Sequence, residues 1–330
     1  MRVGVIGDGG WGTALAILVH ENGHGVRLWG AFPDYVEAMR RSRENTRFLP
    51  GVPLPESLGL TADPAEVVDG ADLLVSVVPT PYLRGVARKF APVLRAKTPV
   101  VSATKGLEQG TLARPTQILR EILGADRPCG VLSGPSHAEE VSRRVPTAVV
   151  AGCEEEAVRE RVQGVFSNER FRVYGSTDPV GVELGGALKN VIALAAGICD
   201  GLEMGDNPKA ALVTRGVVEI ARLGVALGAR RETFFGLSGI GDLIVTAYSR
   251  YSRNRAVGER VARGEPIDSI LESTPMIPEG VFTTRALGGK DPGVELPIVR
   301  ELHGVLFERK DPREAVTSLM TRDLKEETTV

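Results

Sequence analysis

Lysine is scarce in this chain: of 40 basic residues, only 8 are lysine. Arginine keeps its charge almost anywhere, whereas a desolvated lysine can lose its proton. Each lysine in an apolar or glycine-rich stretch therefore asks for a chemical reason. Cysteine is scarce too. Cys129, Cys153 and Cys199 are odd in number and far apart. This excludes a disulfide framework and a zinc motif, and it fits a reducing cytoplasm. The four histidines, His20, His24, His137 and His303, show no metal-ligand spacing. Net charge is only −2, so nucleic acid and polyanionic membrane surfaces are not expected partners. No apolar run reaches the roughly 18–20 uninterrupted residues of a bilayer span. The opening MRVGVIGDGG lacks the apolar core of a signal peptide. The expectation is a cytoplasmic, non-membrane protein.

What is present is an alternation. RVGVIG, HGVRLWG, ADLLVSVVP, TPVVSATKG, CGVLSGPS, VPTAVVAG and RFRVYGS read as buried strands. Helical stretches lie between them, over residues 82–94, 115–123 and 154–166. Strand–helix alternation predicts a mostly parallel sheet with right-handed crossovers. After about Asp178 strand signals fade and long helical stretches follow, over 180–199, 209–227, 252–262, 282–288 and 299–307. The expected fold is α/β: a Rossmann-type, mostly parallel sheet domain over 1–177, then an all-α substrate domain over 178–330.

Within the first strand–turn–helix stands Gly7-x-Gly9-x-x-Gly12. That setting makes the motif a dinucleotide fingerprint. Gly7 permits the tight turn, Gly9 admits a pyrophosphate, and Gly12 lets helix and strand pack closely. The second strand ends in Trp29, Gly30 and Ala31, with neither the acid that selects NAD nor the arginine that favours NADP. NAD and NADP both stay open.

Lys189 sits mid-helix in GGALKNVIALAAG, and Lys105 follows a strand end in SATKGLEQG. A reaction that gives and takes a proton near neutral pH suits a desolvated lysine. The helical wheel puts Gly185, Gly186, Ala193, Ala196 and Asp200 on the Lys189 face. Their small side chains leave a trough, and a lysine snorkelling to the surface fits the wheel equally well. In LSGPSHAEE, Ser136 is placed as an N-cap with Glu139 completing a capping box. Asp242, Ser252, Arg253 and Asn254 fall in one window, where arginine and asparagine at a helix start suit a phosphate. A solvated basic helix is the alternative there.

GDGGWGTALA, NTRFLPGVPLP, VSVVPTPYLR, SATKGLE, LSGPSHAEEV, GALKNVIALAAGICDGL, GDLIVTAYSRYSRNRAVG and IPEGVFT occur in this order. Together they resemble the bacterial NAD(P)-dependent glycerol-3-phosphate dehydrogenases. The resemblance implies a reversible hydride transfer between NAD(P)H and dihydroxyacetone phosphate, giving sn-glycerol 3-phosphate for phospholipid synthesis. It makes Lys189 the acid/base. It places Lys105, Gly134, Ser136, Asp242, Ser252, Arg253 and Asn254 on the substrate, where Asn190 could also hydrogen-bond. It places Gly7, Gly9, Gly10, Trp11, Gly12, Ala31, Lys105, Ala138, Arg253, Ile277 and Glu279 on the cofactor. His137 stands where the family commonly has an aromatic residue, and Pro278 where a small one is usual. A β-hydroxyacid dehydrogenase would pair its lysine with an asparagine one turn later, where this chain has Ala193. A dinucleotide-sensing protein without turnover would leave Lys105, Lys189 and Asp242 without a task. The apolar small-residue helices are compatible with a homodimer but mark no interface.

Overall fold

The computed structural model describes residues 1–330 except 96, 275–276, 290–292, 325 and 328–330. Eight strands form one sheet: β1 (Arg2–Ile6), β2 (Gly25–Trp29), β3 (Gly59–Thr61), β4 (Leu73–Ser76), β5 (Val100–Ser102), β6 (Cys129–Ser133), β7 (Thr147–Gly152) and β8 (Phe171–Ser176). Their order is β3-β2-β1-β4-β5-β6-β7-β8. All neighbours are parallel except β6 and β7, which are antiparallel. Between the strands run α1 (Gly10–Glu21), α2 (Pro33–Ser42), α3 (Pro64–Val68), α4 (Thr80–Phe90), α5 (Pro115–Leu123), α6 (Ala138–Val141) and α7 (Glu156–Phe166). The central strands β4, β5 and β6 are buried along their whole length, as strands covered on both faces must be. β8 differs from the expected buried strand: its outward residues alternate into solvent because it is an edge with one covered face.

Chain order reverses between β1 and β4, the switch point at which open α/β sheets form a ligand crevice. Gly7 continues β1 directly into that crevice.

Past β8 the chain is helical: α8 (Pro179–Gly201), α9 (Asp206–Ala226), α10 (Asp242–Tyr248), α11 (Arg253–Ala262), α12 (Ile267–Ser273), α13 (Glu279–Gly288), α14 (Pro297–Phe307) and α15 (Pro312–Met320). The expected helix at 282–288 starts earlier, at Glu279. α8 is the axis of this part. Asp178 caps it, accepting from Gly181 N at 2.9 Å, and Pro179 opens its first turn. Nineteen of its 23 residues are buried. By length and hydropathy α8 is the one helix among the described residues that could cross a bilayer, yet 94% of its apolar window is buried inside the fold. It is a core helix, packed against α9, α10, α11 and α13.

The α8–α11 crossing is close because both helices carry glycine at it. A Cβ on Gly197 would strike the Arg255 carbonyl, and one on Gly258 would strike that of Leu194. This approach lays the start of α11, with Arg253 and Asn254, beside the middle of α8.

Candidate active site

Three segments converge on one carboxylate. Lys189 projects from the middle of α8. Lys105 comes from the loop after β5. Asp242 opens α10, which follows a π-helical turn at Leu237–Gly241. Lys189 Nζ donates to Asp242 Oδ1 at 2.5 Å and to Thr246 Oγ1 at 2.6 Å. Lys105 Nζ donates to Asp242 Oδ2 at 2.7 Å and to the Gly134 carbonyl at 2.9 Å, with Ser136 Oγ at 3.4 Å. The Thr246 hydroxyl gives its proton to the Asp242 carbonyl at 2.6 Å, so it can only accept from Lys189. Two of the three protons of a charged Lys189 are thus held, and no third partner stands among the described residues.

Burial sets the electrostatics. The Lys189 side chain is 7% exposed and Asp242 1%. Burial lowers the Lys189 pKa to about 7, with Asp242 opposing the shift and Lys105 and Arg253 adding to it. Burial would raise the Asp242 pKa, but Lys105 and Lys189 outweigh it and hold the carboxyl below its usual range. A lysine that exchanges its proton near neutrality, anchored by a permanent carboxylate, is the result.

The trough predicted from the wheel exists, and a neighbouring segment fills it. A Cβ on Gly186 would collide with Ser133 Oγ and come within 3.6 Å of Lys105 Cγ. The snorkelling alternative fails, because Lys189 stays inside. Asp200 is not part of this face: it pairs with Lys209 at 2.7 Å and Arg255 at 2.5 Å. The Ser136 capping box is also overturned. His137 is the N-cap of α6 without a side-chain bond, and Ser136 Oγ donates instead to the Gly134 carbonyl at 2.8 Å.

A ladder of amides ties the helices to the sheet. Asn190 Nδ2 reaches the Lys105 carbonyl at 3.4 Å, and its Oδ1 accepts from Asn254 Nδ2 at 3.0 Å. Asn254 Oδ1 in turn accepts from Gly280 N at 2.9 Å. Ser252 caps α11 by accepting from Arg255 N at 3.2 Å. Arg253 is solvent-exposed at the rim and donates to the Ile277 carbonyl at 3.3 Å. Glu279 Oε1 accepts from Thr80 N at 2.9 Å, across 199 positions of chain. Burial pushes the Glu279 pKa up to about 7, against the Thr80 N–H and Arg253. His137 is driven down to about 4 by burial and by the charges of Lys189 and Lys105, so it is neutral near pH 7.

The glycine loop lies on the sheet side. Gly7 has φ +115°, and a Cβ on Gly12 would run into the Gly7 carbonyl. Nothing lies within 4 Å of a Cβ built on Gly9, which leaves space before the α1 N-terminus. Gly10 abuts Ala138, 3.7 Å from its built Cβ. Asp8 Oδ2 and Trp11 Nε1 are buried polar atoms without partners. Such atoms are costly unless something pairs them. Open space before a helix N-terminus together with these unpaired atoms fits a dinucleotide. Ala31 is exposed at the end of β2 and joins none of these contacts. Thr246 escaped the sequence reading, although its place one turn after Asp242 in GDLIVTAY is a helix-spacing signal.

A doubly wound sheet with a glycine turn at its switch point, followed by helices that carry a buried lysine–aspartate pair, is the make-up of a Rossmann-type dehydrogenase using a nicotinamide dinucleotide. Residues 2–159 match the model for the NAD-dependent glycerol-3-phosphate dehydrogenase N-terminus, and residues 178–317 match that for its C-terminus. The glycerol-3-phosphate dehydrogenase [NAD(P)+] of Syntrophotalea carbinolica is 50% identical over 331 residues, covering 99% of both chains. That of Fusobacterium nucleatum is 45% identical over 328 residues, covering 98% of both. The crystal structure of glycerol-3-phosphate dehydrogenase from Coxiella burnetii superposes with a TM-score of 0.93 at 36% identity, covering 97% of this chain and 99% of that one. The chain belongs to the NAD-dependent glycerol-3-phosphate dehydrogenase family, and it is an NAD(P)-dependent oxidoreductase.

Proposed function

We propose that the chain interconverts dihydroxyacetone phosphate and sn-glycerol 3-phosphate, with Lys189 as general acid in reduction and general base in oxidation. The observation that carries this reading is the buried Lys189 Nζ, held by Asp242 and Thr246, with a pKa near 7. Residues 1–177 form the dinucleotide-binding domain and residues 178–330 the substrate and catalytic domain, with a few residues of each reaching into the other's ligand. Gly7, Gly9, Gly10, Trp11 and Gly12, with Ala138, Ile277 and Glu279, would hold the cofactor, which when bound supplies or accepts the hydride.

The chain's own groups do the rest. Asp242 and Thr246 fix two Lys189 protons, leaving the third for the substrate carbonyl oxygen. The Lys189 charge stabilises the alkoxide that forms there and then neutralises it by proton transfer. Lys105, anchored on Asp242 and Gly134, adds positive field on the same side. Asn190 and Asn254 position the substrate hydroxyls, and Gly134, Ser136 and Ser252 line its place. Arg253, exposed at the rim, takes the phosphate and fixes the reacting carbon.

Two results test these roles. Arg253→Ala should raise KM for dihydroxyacetone phosphate about tenfold or more, as loss of a charged hydrogen bond does. Initial rates at varied substrate would show it, and an unchanged KM would dismiss the phosphate role. The second test is pH. Reduction needs charged Lys189, so its kcat should fall as pH rises through about 7, while oxidation, which needs the neutral amine, should rise over the same range. A kcat flat in both directions between ~pH 6 and ~pH 8 would remove Lys189 from the proton transfer.

Assay of NADH oxidation with dihydroxyacetone phosphate tests the activity itself. Its product would supply the glycerol backbone of phospholipids. Three buried free thiols support a reducing cytoplasmic setting. Exposed Val225, Leu227, Phe235 and Ile244 on neighbouring elements support a homodimer.

A further inference from the structure

The glycine loop carries an acid that the proton chemistry and the phosphate grip leave without a task. Asp8, between Gly7 and Gly9, is 9% exposed. Its Oδ2 is buried and has no hydrogen-bond partner. Its backbone is pinned instead: the Asp8 carbonyl accepts from Asn45 Nδ2 at 2.7 Å and from Thr13 Oγ1 at 3.4 Å. The side chain extends sideways to the end of β2. A Cβ built on Gly30 would lie 2.5 Å from Asp8 Oδ2 and 2.9 Å from its Cγ.

That place has a meaning in this fold. About 20 residues after the glycine motif, at the end of the second strand, an acid normally hydrogen-bonds the adenosine ribose 2′-OH. Here Trp29-Gly30-Ala31 supplies none. Gly30 has no side chain, and the Asp8 carboxylate occupies the room it leaves. An acid has thus reached the β2 end from the neighbouring β1 turn.

We propose that Asp8 selects the cofactor, accepting a hydrogen bond from the ribose 2′-OH of NAD(H) and disfavouring the 2′-phosphate of NADP(H). The proposal rests on the reading that the glycine loop holds the dinucleotide. A ribose diol brings donors to a buried oxygen that lacks one. A 2′-phosphate brings negative charge and acceptors to the same oxygen, which it can neither pair nor neutralise. Burial pushes the Asp8 pKa up, opposed by its own backbone N–H and by the charge of Arg47. Arg47 is exposed, with its guanidinium 5.0 Å above the Phe48 ring. With Asp8 neutralised, Arg47 would remain to attract a 2′-phosphate.

The test is direct titration of the full chain with NADH and with NADPH, followed by nicotinamide fluorescence, alongside kcat/KM with each. Wild type should bind NADH more tightly. Asp8→Ala and the near-isosteric Asp8→Asn should weaken NADH and strengthen NADPH, moving the ratio of the two Kd values on the order of 10–100-fold. Should alanine compromise folding, the asparagine variant decides. A ratio that stays within about threefold in the folded variants, while wild type binds both dinucleotides, overturns the proposal alone. So does a wild-type preference for NADPH. Failure of wild type to bind either dinucleotide overturns the glycine-loop reading and this proposal with it.

Discussion

Lys189→Ala is expected to lower kcat about 10²–10⁴-fold in both directions, the usual worth of a positioned general acid–base. Binding of NADH should change little, because the glycine loop and Glu279 are untouched. Single-turnover absorbance at the nicotinamide band separates the two readouts. Activity within about tenfold of wild type would remove the lysine from the chemistry. Stability should not fall in proportion. The substitution takes away a buried cation, but Lys105 still meets Asp242 at 2.7 Å, so the carboxylate keeps a partner.

The second large effect lies with that carboxylate. Asp242→Ala would leave two lysines, with side chains 7% and 16% exposed, without their shared anion. Breaking a buried pair from one side typically costs about 3–5 kcal/mol. The urea midpoint should therefore drop at unchanged m, the signature of lost stability rather than an altered unfolded state. Activity should change in kind as well. Asp242 is what pulls the Lys189 pKa upward against burial. Without it the pKa falls further, and the pH above which reduction fails should move to the acid side. Asp242→Asn, close in volume, should show the same acid shift with a smaller loss of midpoint. An alanine variant with wild-type midpoint and an unmoved pH limb would refute the anchoring role.

Much of this was legible in the sequence because it is local. The Pro115–Leu123 helix has the predicted bounds, and the strand–glycine–helix start needs only adjacent residues. Short elements such as β3 and α3, of 3 and 5 residues, carry too few positions to show a period. The antiparallel turn of β7 was invisible for another reason: an apolar run reads the same in either direction. The charge cluster depends on pairs separated by 53 and 137 positions, which no window spans. Asp200 illustrates the limit of the wheel. Eleven residues beyond Lys189 it returns to the same face, but about 16 Å further along the axis. There it serves Lys209 and Arg255.

The burial of α8 also has a consequence in time. Backbone that opens only with the global unfolding of a domain belongs to its slowest-exchanging amides, whereas rims and termini open locally. With 19 of 23 residues buried and a glycine-to-backbone crossing against α11, α8 belongs to that slow class. The amides around Lys189 are therefore expected to exchange only with global unfolding. Under the proposed mechanism the proton donor thus sits on the least yielding part of its domain, and any opening for substrate falls to the elements around it.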